Sequence, residues 1–464
     1  MKIGLEFEFA LTDKEGNASI YSRTEKLYEA FGARGWQVKK DVFTGKIIGA
    51  SKDFPDGHYD IGVDYGLCTF EIALPPVESV EEAQKQWDVF LHEEILPVLE
   101  SQNLLILAYA HQPKTKDLRE CVGPKGHYLI WNRMMDTMLG KEKAEELRTS
   151  ITGVNAVQYN IDVEYDRLIP AVNVLTKLTY VIWSWSLSSP VTGGEVQPYL
   201  SRRLKDLMIL ADGDLIEHGR WYRTPLKEYT SMQEYVTRRW KSKIFEIIRD
   251  GESWYQPNHD ISTWDFIQQK KAVFQNLKGQ EKEIEINVSD LNFSVYFYWS
   301  IVRLHFNFDE SKSVDEVVQL IKQNNVREAL SDHGDKTYIE IRHVGMCPQN
   351  EIFSWLVFFI GCLNSLGELE NLTKDWEMAR LYDVFDDMLK YGLRAKWMDR
   401  EFAKWGEEIL RISKGGLKNY DKNLFDLLQP LERHLQTKAS SAHDIIKVFE
   451  YGGMESLIDC LKVR

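Results

Sequence analysis

The sequence has no Gly-x-x-x-x-Gly-Lys-[Ser/Thr] loop, so any use of ATP must rest on a fold other than the P-loop architectures. A Ser-His-Asp or Cys-His elbow is missing too, which speaks against chemistry through a covalent nucleophile. Long apolar runs are also absent. The two most apolar stretches, Tyr180 to Leu187 and Ile352 to Leu363, are shorter than the ~20 residues that span a bilayer, and read as buried elements. Cysteine is scarce and scattered: Cys68, Cys121, Cys347, Cys362 and Cys460 are odd in number and lack metal-ligand spacing, so reduced thiols are expected. Positive charge is in deficit, with 57 Lys and Arg against 71 Asp and Glu and a formal net charge of -14. That balance gives no general attraction to nucleic acid or to an anionic membrane. Met1-Lys2 leads directly into an acidic, apolar stretch with no secretory pattern, and the expectation is a cytoplasmic protein.

What is present is a set of strand-like segments that carry isolated charges. In Ile3-Gly4-Leu5-Glu6-Phe7-Glu8-Phe9-Ala10, strand periodicity puts Glu6 and Glu8 on one face and Leu5, Phe7 and Phe9 on the other. Like charges held that close raise a pKa or call for a hard cation such as Mg²⁺; a solvated edge strand is the alternative. The segment from Gly62 to Ala73 is expected to be a further strand with Asp64 and Glu71, ending at Pro75-Pro76. Lys336 to His343 repeats the two-apart geometry with Glu340 and Arg342. Gln158, Asn160 and Asp162 share a face of Val157 to Asp162, and Arg303, His305 and Asn307 share one of Ser300 to Asp309. Charges in such apolar contexts need partners, and several strands offering them together point to a metal and phosphate site.

With 464 residues, 44% of them hydrophobic, the chain can build one large or two ordinary domains. The patterns predict helices over Thr24 to Gly35, Val80 to Gln102 and Ala171 to Leu187, and one opened by the segment Gly123 to Tyr128 and running through Met138, alternating with strands in a mixed α/β layering. Ser188 to Gly194 reads as a Gly-rich loop, and Lys278 to Asp290 as a charged surface insertion. Helices follow Pro348 to the end, with residues 1–374 expected as the catalytic domain and 375–464 as a helical segment packed on it.

Five stretches occur in an order that resembles the glutamate–cysteine ligase family, nearest its plant and proteobacterial branch. They are Gly4-Leu5-Glu6-Phe7-Glu8, Pro124-Lys125-Gly126-His127-Tyr128, Val157 to Asp162, Ser189-Pro190 with Tyr199 to Arg203, and Tyr338-Ile339-Glu340-Ile341-Arg342. The resemblance implies an α+β, glutamine-synthetase-like fold, a curved antiparallel funnel with surrounding helices. It implies metal carboxylates at Glu6, Glu8, Asp64, Glu71 and Glu340, with Gln158 beside them. Asn160, Lys125 and His305 are the further expected cofactor-binding positions, and Arg342 and Arg203 the expected clamps on phosphate or carboxylate. Two positions depart from the family pattern: His127 stands where Arg is usual, and Ser188 where Asn usually precedes Ser-Pro.

The implied reaction uses ATP and Mg²⁺, or Mn²⁺, to phosphorylate the γ-carboxylate of glutamate, after which cysteine's amine attacks the acyl phosphate. A ligase with another amine shares every residue named, and a non-catalytic nucleotide-binding scaffold is a third reading. The expected partners are these small molecules, with no nucleic acid or membrane, in a monomer or homodimer.

Overall fold

The computed structural model describes residues 1–209, 227–249, 253–296, 300–334, 336–418 and 420–464. Its organising element is a nine-stranded sheet in which each paired neighbour runs antiparallel. From one edge the order is Val302–His305, Tyr338–Ile341, Val157–Asp162, Ile3–Asp13, Thr69–Ala73, Gly57–Gly62, Ile47–Phe54 and Gln37–Lys40, while Leu104–Leu107 pairs with the far end of Ile3–Asp13. The fold class expected from the sequence, α+β around a large antiparallel sheet, is the one observed.

Register gives the sheet two chemically opposite faces. Arg303 lies opposite Glu340, Glu340 opposite Asn160, Gln158 opposite Glu6, and Glu8 opposite Glu71. The alternate residues Leu5, Phe7, Phe9, Ile72, Tyr159, Ile161, Leu304, Ile339 and Ile341 are buried in one continuous core. Helices cover this apolar face: Phe7 packs on Trp87 at 4.4 Å between ring centroids, and Tyr159 on Phe359 at 5.4 Å. The same core includes Phe402, Leu417 and Leu435 from the C-terminal helices, and the Gln349–Asn364 helix packs along Phe402–Leu417. Both apolar runs noted in the sequence lie buried, and among the described residues no single helix is long and apolar enough to cross a membrane.

Several local expectations change. The helix expected over Val80 to Gln102 forms, but with a π turn at Leu91–Ile95 between Val80–Phe90 and Leu96–Ser101. Pro97 has no N–H to give to the preceding turn, and the wider turn accommodates that loss. Ala171 to Leu187 is two helices, Leu168–Lys177 and Thr179–Trp185. The Gly-rich loop is a tight hairpin turn, with Gly193 and Gly194 at φ 62° and 78° between Val191–Thr192 and Glu195–Val196. The charged insertion belongs to a second, four-stranded sheet built from Ile247–Arg249, Ser253–Pro257, Lys271–Asn276 and Glu281–Glu285.

Asp64 is not on a strand. The chain leaves the sheet after Gly62, and residues 63–68 pair instead with the segment before the Gly126–Leu139 helix: Leu67 N–H donates to Cys121 O at 2.6 Å and Gly123 N–H to Tyr65 O at 2.7 Å. This excursion requires Gly66, where a Cβ would sit 2.0 Å from the Thr152 carbonyl oxygen. Gly66→Ala should therefore lower stability by about 1–3 kcal/mol, the usual range for overpacking. Gly367→Ala, at a helical site with nothing within 4 Å, should be neutral or stabilising. Urea melts of the two variants check the pair.

Candidate active site

The polar face of the sheet opens into a cavity of about 210 Å³. Glu6, Glu8, Asp64, Glu71, Gln158, Arg203 and Arg342 line it, together with Tyr65, Trp131 and Ile301. Of the residues singled out in the sequence, the structure brings these seven together. Asn160, Lys125 and His305 lie outside that lining. Lys125 precedes the Gly126–Leu139 helix, close enough for its charge to act on Glu71, and its ammonium stands 5.7 Å from the Tyr128 ring centre. Asp41 fixes this corner, accepting the Gly126 N–H at 2.8 Å at the positive end of the helix.

Glu340 is outside that lining, though its charge still acts on Glu6. Arg303 and Arg342 both donate to its Oε1, and His305 Nε2 bonds its Oε2. Burial alone would raise its pKa, but the two guanidiniums outweigh it and hold the carboxyl well below the usual range. Arg342 also donates to Gln158 Oε1, and Gln158 Nε2 donates to Glu8 Oε1 at 2.6 Å. A continuous polar relay thus crosses four strands, from Arg303 through Glu340, Arg342 and Gln158 to Glu8. It keeps the Glu340 carboxylate occupied by cations and holds Arg342 in place above the remaining acids.

Those acids have the opposite electrostatics. Burial, then the nearby Asp64 carboxylate, pushes Glu8 up to about 8. Burial also raises Glu6 and Glu71, and these two carboxyls hydrogen-bond each other, which requires a shared proton. Asp64 Oδ1 is 3.5 Å from the Tyr128 hydroxyl that donates to it. Among the described residues no three His, Cys, Asp or Glu side chains are gathered closely enough, as placed, to hold a metal ion. The donor set is nevertheless all oxygen and in excess of negative charge, which suits a hard divalent cation and no soft one.

Arg203 is 5% exposed and donates to the carbonyl oxygens of Arg342 and His343 at 3.3 and 3.4 Å, leaving its Nε without a partner. Burial lowers its pKa to about 10, so it remains a cation at neutral pH. The sequence reading missed the aromatic side of the cavity. Tyr65, Tyr128 and Trp131 pack on one another, His127 stacks between Trp131 and Trp254, and Trp131 Nε1 donates to the buried Glu246 at 2.8 Å. Burial lowers His127 to about 3, so it is a neutral ring, packed against Trp131 outside the cavity lining. No spacing signal links residues 65, 131, 246 and 254; only the packing of the second sheet onto the Gly126–Leu139 helix joins them. Arg303 was legible as part of a polar trio, but its pairing with Glu340 appears only in the register.

Comparison with known proteins gives the class, a ligase that forms a C–N bond. Residues 2–207, somewhat under half of the chain, match the model of glutamate–cysteine ligase family 2. The chain is 20% identical over 454 residues to the chloroplastic glutamate–cysteine ligase of Arabidopsis thaliana, covering 97% of this chain and 76% of that protein. The crystal structure of glutamate–cysteine ligase from Francisella tularensis in complex with AMP shares the fold, with a TM-score of 0.52 at 12% identity over 99% of this chain and 87% of that one.

Two outcomes follow from the contrast between Glu340 and the other acids. Glu340→Gln leaves Arg303 and Arg342 without their counter-charge and should cost about 3–5 kcal/mol, whereas Glu8→Gln should leave stability at neutral pH unchanged or higher. Folded Glu8 titrates near 8 against 4.5 for the ordinary group, so its contribution to stability is complete below 4.5 and is lost as pH rises through about 8. The melting temperature of the metal-free protein should therefore fall across that window, and fall less in Glu8→Gln; calorimetric melts at a series of pH values read both.

Proposed function

We propose that the protein is an ATP-dependent ligase that joins the γ-carboxylate of glutamate to the amine of cysteine through an acyl phosphate. The observation that carries this reading is the cavity in which four carboxylates face two arginines, the buried Arg203 and the half-buried Arg342. Its volume of about 210 Å³ suits the reacting ends of the substrates rather than a whole nucleotide. Residues 1–374 supply this chemistry in our reading, with 375–464 as helical support.

Transfer of a phosphoryl group to a carboxylate brings two anions together, so catalysis is largely a matter of position and charge. Arg342 is held by Glu340 and Gln158, and needs little reorganisation to meet charge that develops on the transferred group. Arg203, fixed on two backbone carbonyls, presents a second cation to a carboxylate. Glu6, Glu8, Asp64 and Glu71 would hold Mg²⁺, which when bound neutralises the triphosphate. Once a cation lowers the pKa values of these acids, one that is ionised and has an oxygen free of the cation can take the proton released by the attacking amine.

A second reading keeps the chemistry and changes the amine. It is favoured by the aromatic wall and by the neutral ring at His127, where the family pattern has a cation. ADP release measured with glutamate and a panel of amines distinguishes the two. Cysteine giving the highest kcat/KM supports the first reading, another amine supports the second, and no amine-dependent ADP with any of them removes both. Arg342→Lys should lower kcat by at least about 10²-fold, the usual cost of one preorganised donor. A raised KM for glutamate with kcat kept would make Arg342 a substrate-holding group instead.

A further inference from the structure

A larger cavity of about 810 Å³ lies between the start of the Gln349–Asn364 helix, the Gln429–Thr437 helix and both ends of the Ser441–Leu461 helix. Its size is that of a small-molecule site. Glu351 lines it and is 5% exposed. One carboxylate oxygen, Oε1, accepts the Ser441 hydroxyl at 2.6 Å and lies 3.3 Å from His434 Nε2. The other, Oε2, accepts no hydrogen bond from the described residues. His434 is the one ion-pairing group on Glu351 among the described residues, and no Lys or Arg joins it there.

The cavity also offers the complementary charge. Lys462, just past the end of the Ser441–Leu461 helix, is exposed, lines the same space and makes no ion pair among the described residues. Arg433, the other cation in the lining, is already paired with Asp444. An anchored anion and an unpaired cation in one cavity match a ligand that carries both an ammonium and a carboxylate. We propose that this cavity is a second binding site, separate from the carboxylate–arginine cavity, for a free α-amino acid or a short peptide, with its ammonium on Glu351 Oε2 and its carboxylate on Lys462.

The alternative role of Glu351 is mechanical. Through Ser441 and His434 it ties two C-terminal helices to the Gln349–Asn364 helix, and an acid in the first turn suits that helix's positive end. That role accounts for Oε1 but gives Oε2 nothing to do, and it makes no use of Lys462.

The test titrates glycine and methylamine separately into the full chain by calorimetry, in wild type, Glu351→Gln and Lys462→Ala. Glycine should bind wild type, and each substitution should weaken it at least about tenfold, the effect of losing one charge-assisted contact. Methylamine should bind more weakly than glycine and be insensitive to Lys462→Ala. Because Lys462 is exposed and outside the core, its variant keeps the test valid even if Glu351→Gln unfolds. No glycine binding, glycine binding unchanged in both variants, or methylamine binding as tightly as glycine would overturn the proposal.

Discussion

Like-charged carboxylates drawn out of water onto one face of a sheet are the constraint on which the remaining structure depends. A buried acid with no partner is costly, and Glu6, Glu8 and Glu71 lie close enough to raise one another further. Protonation relieves this in the metal-free protein, and a hard cation would relieve it in the working one. The opposite face of the same strands supplies the stability that tolerates such a site, because Phe7, Phe9, Tyr159 and Ile339 are fully sealed beneath helices. Strand alternation is thus what links fold to chemistry: each residue that builds the core has a neighbour that builds the cavity.

The relay through Glu340 resolves how arginines can stand beside these acids without simply neutralising them. Arg303 and His305 tie up Glu340 from the edge strand, and Glu340 and Gln158 together set the direction of Arg342. An arginine locked in this way is a preorganised positive charge, which is worth most where water is excluded. The same arrangement explains why one acid of the set is strongly ionised while its neighbours are pushed toward the neutral form.

Much of this was legible in the sequence because a strand repeats every second residue. Glu6, Glu8, Gln158, Glu340 and Arg342 could be put on one face by counting, and the register across three strands brings them together. Asp64 was misplaced on a strand because its apolar neighbours mimic one; Gly66 and the pairing with Cys121 take the chain out of the sheet, and that is a tertiary effect. The aromatic wall was invisible for the same reason, since Trp131, Glu246 and Trp254 meet only through packing of the second sheet. Glu340 shows the limit of motif reasoning most clearly. Its position was readable, but its engagement by Arg303 and His305 depends on which strand lies next to it.

The central claim is that phosphate is transferred to a carboxylate before the amine attacks, and an isotope experiment tests it most directly. Glutamate labelled with ¹⁸O in its γ-carboxylate is turned over with ATP and the best amine, and the released phosphate is analysed by mass spectrometry. An acyl-phosphate route leaves one labelled oxygen in inorganic phosphate and produces ADP. Unlabelled phosphate, or label appearing in AMP, would contradict the account.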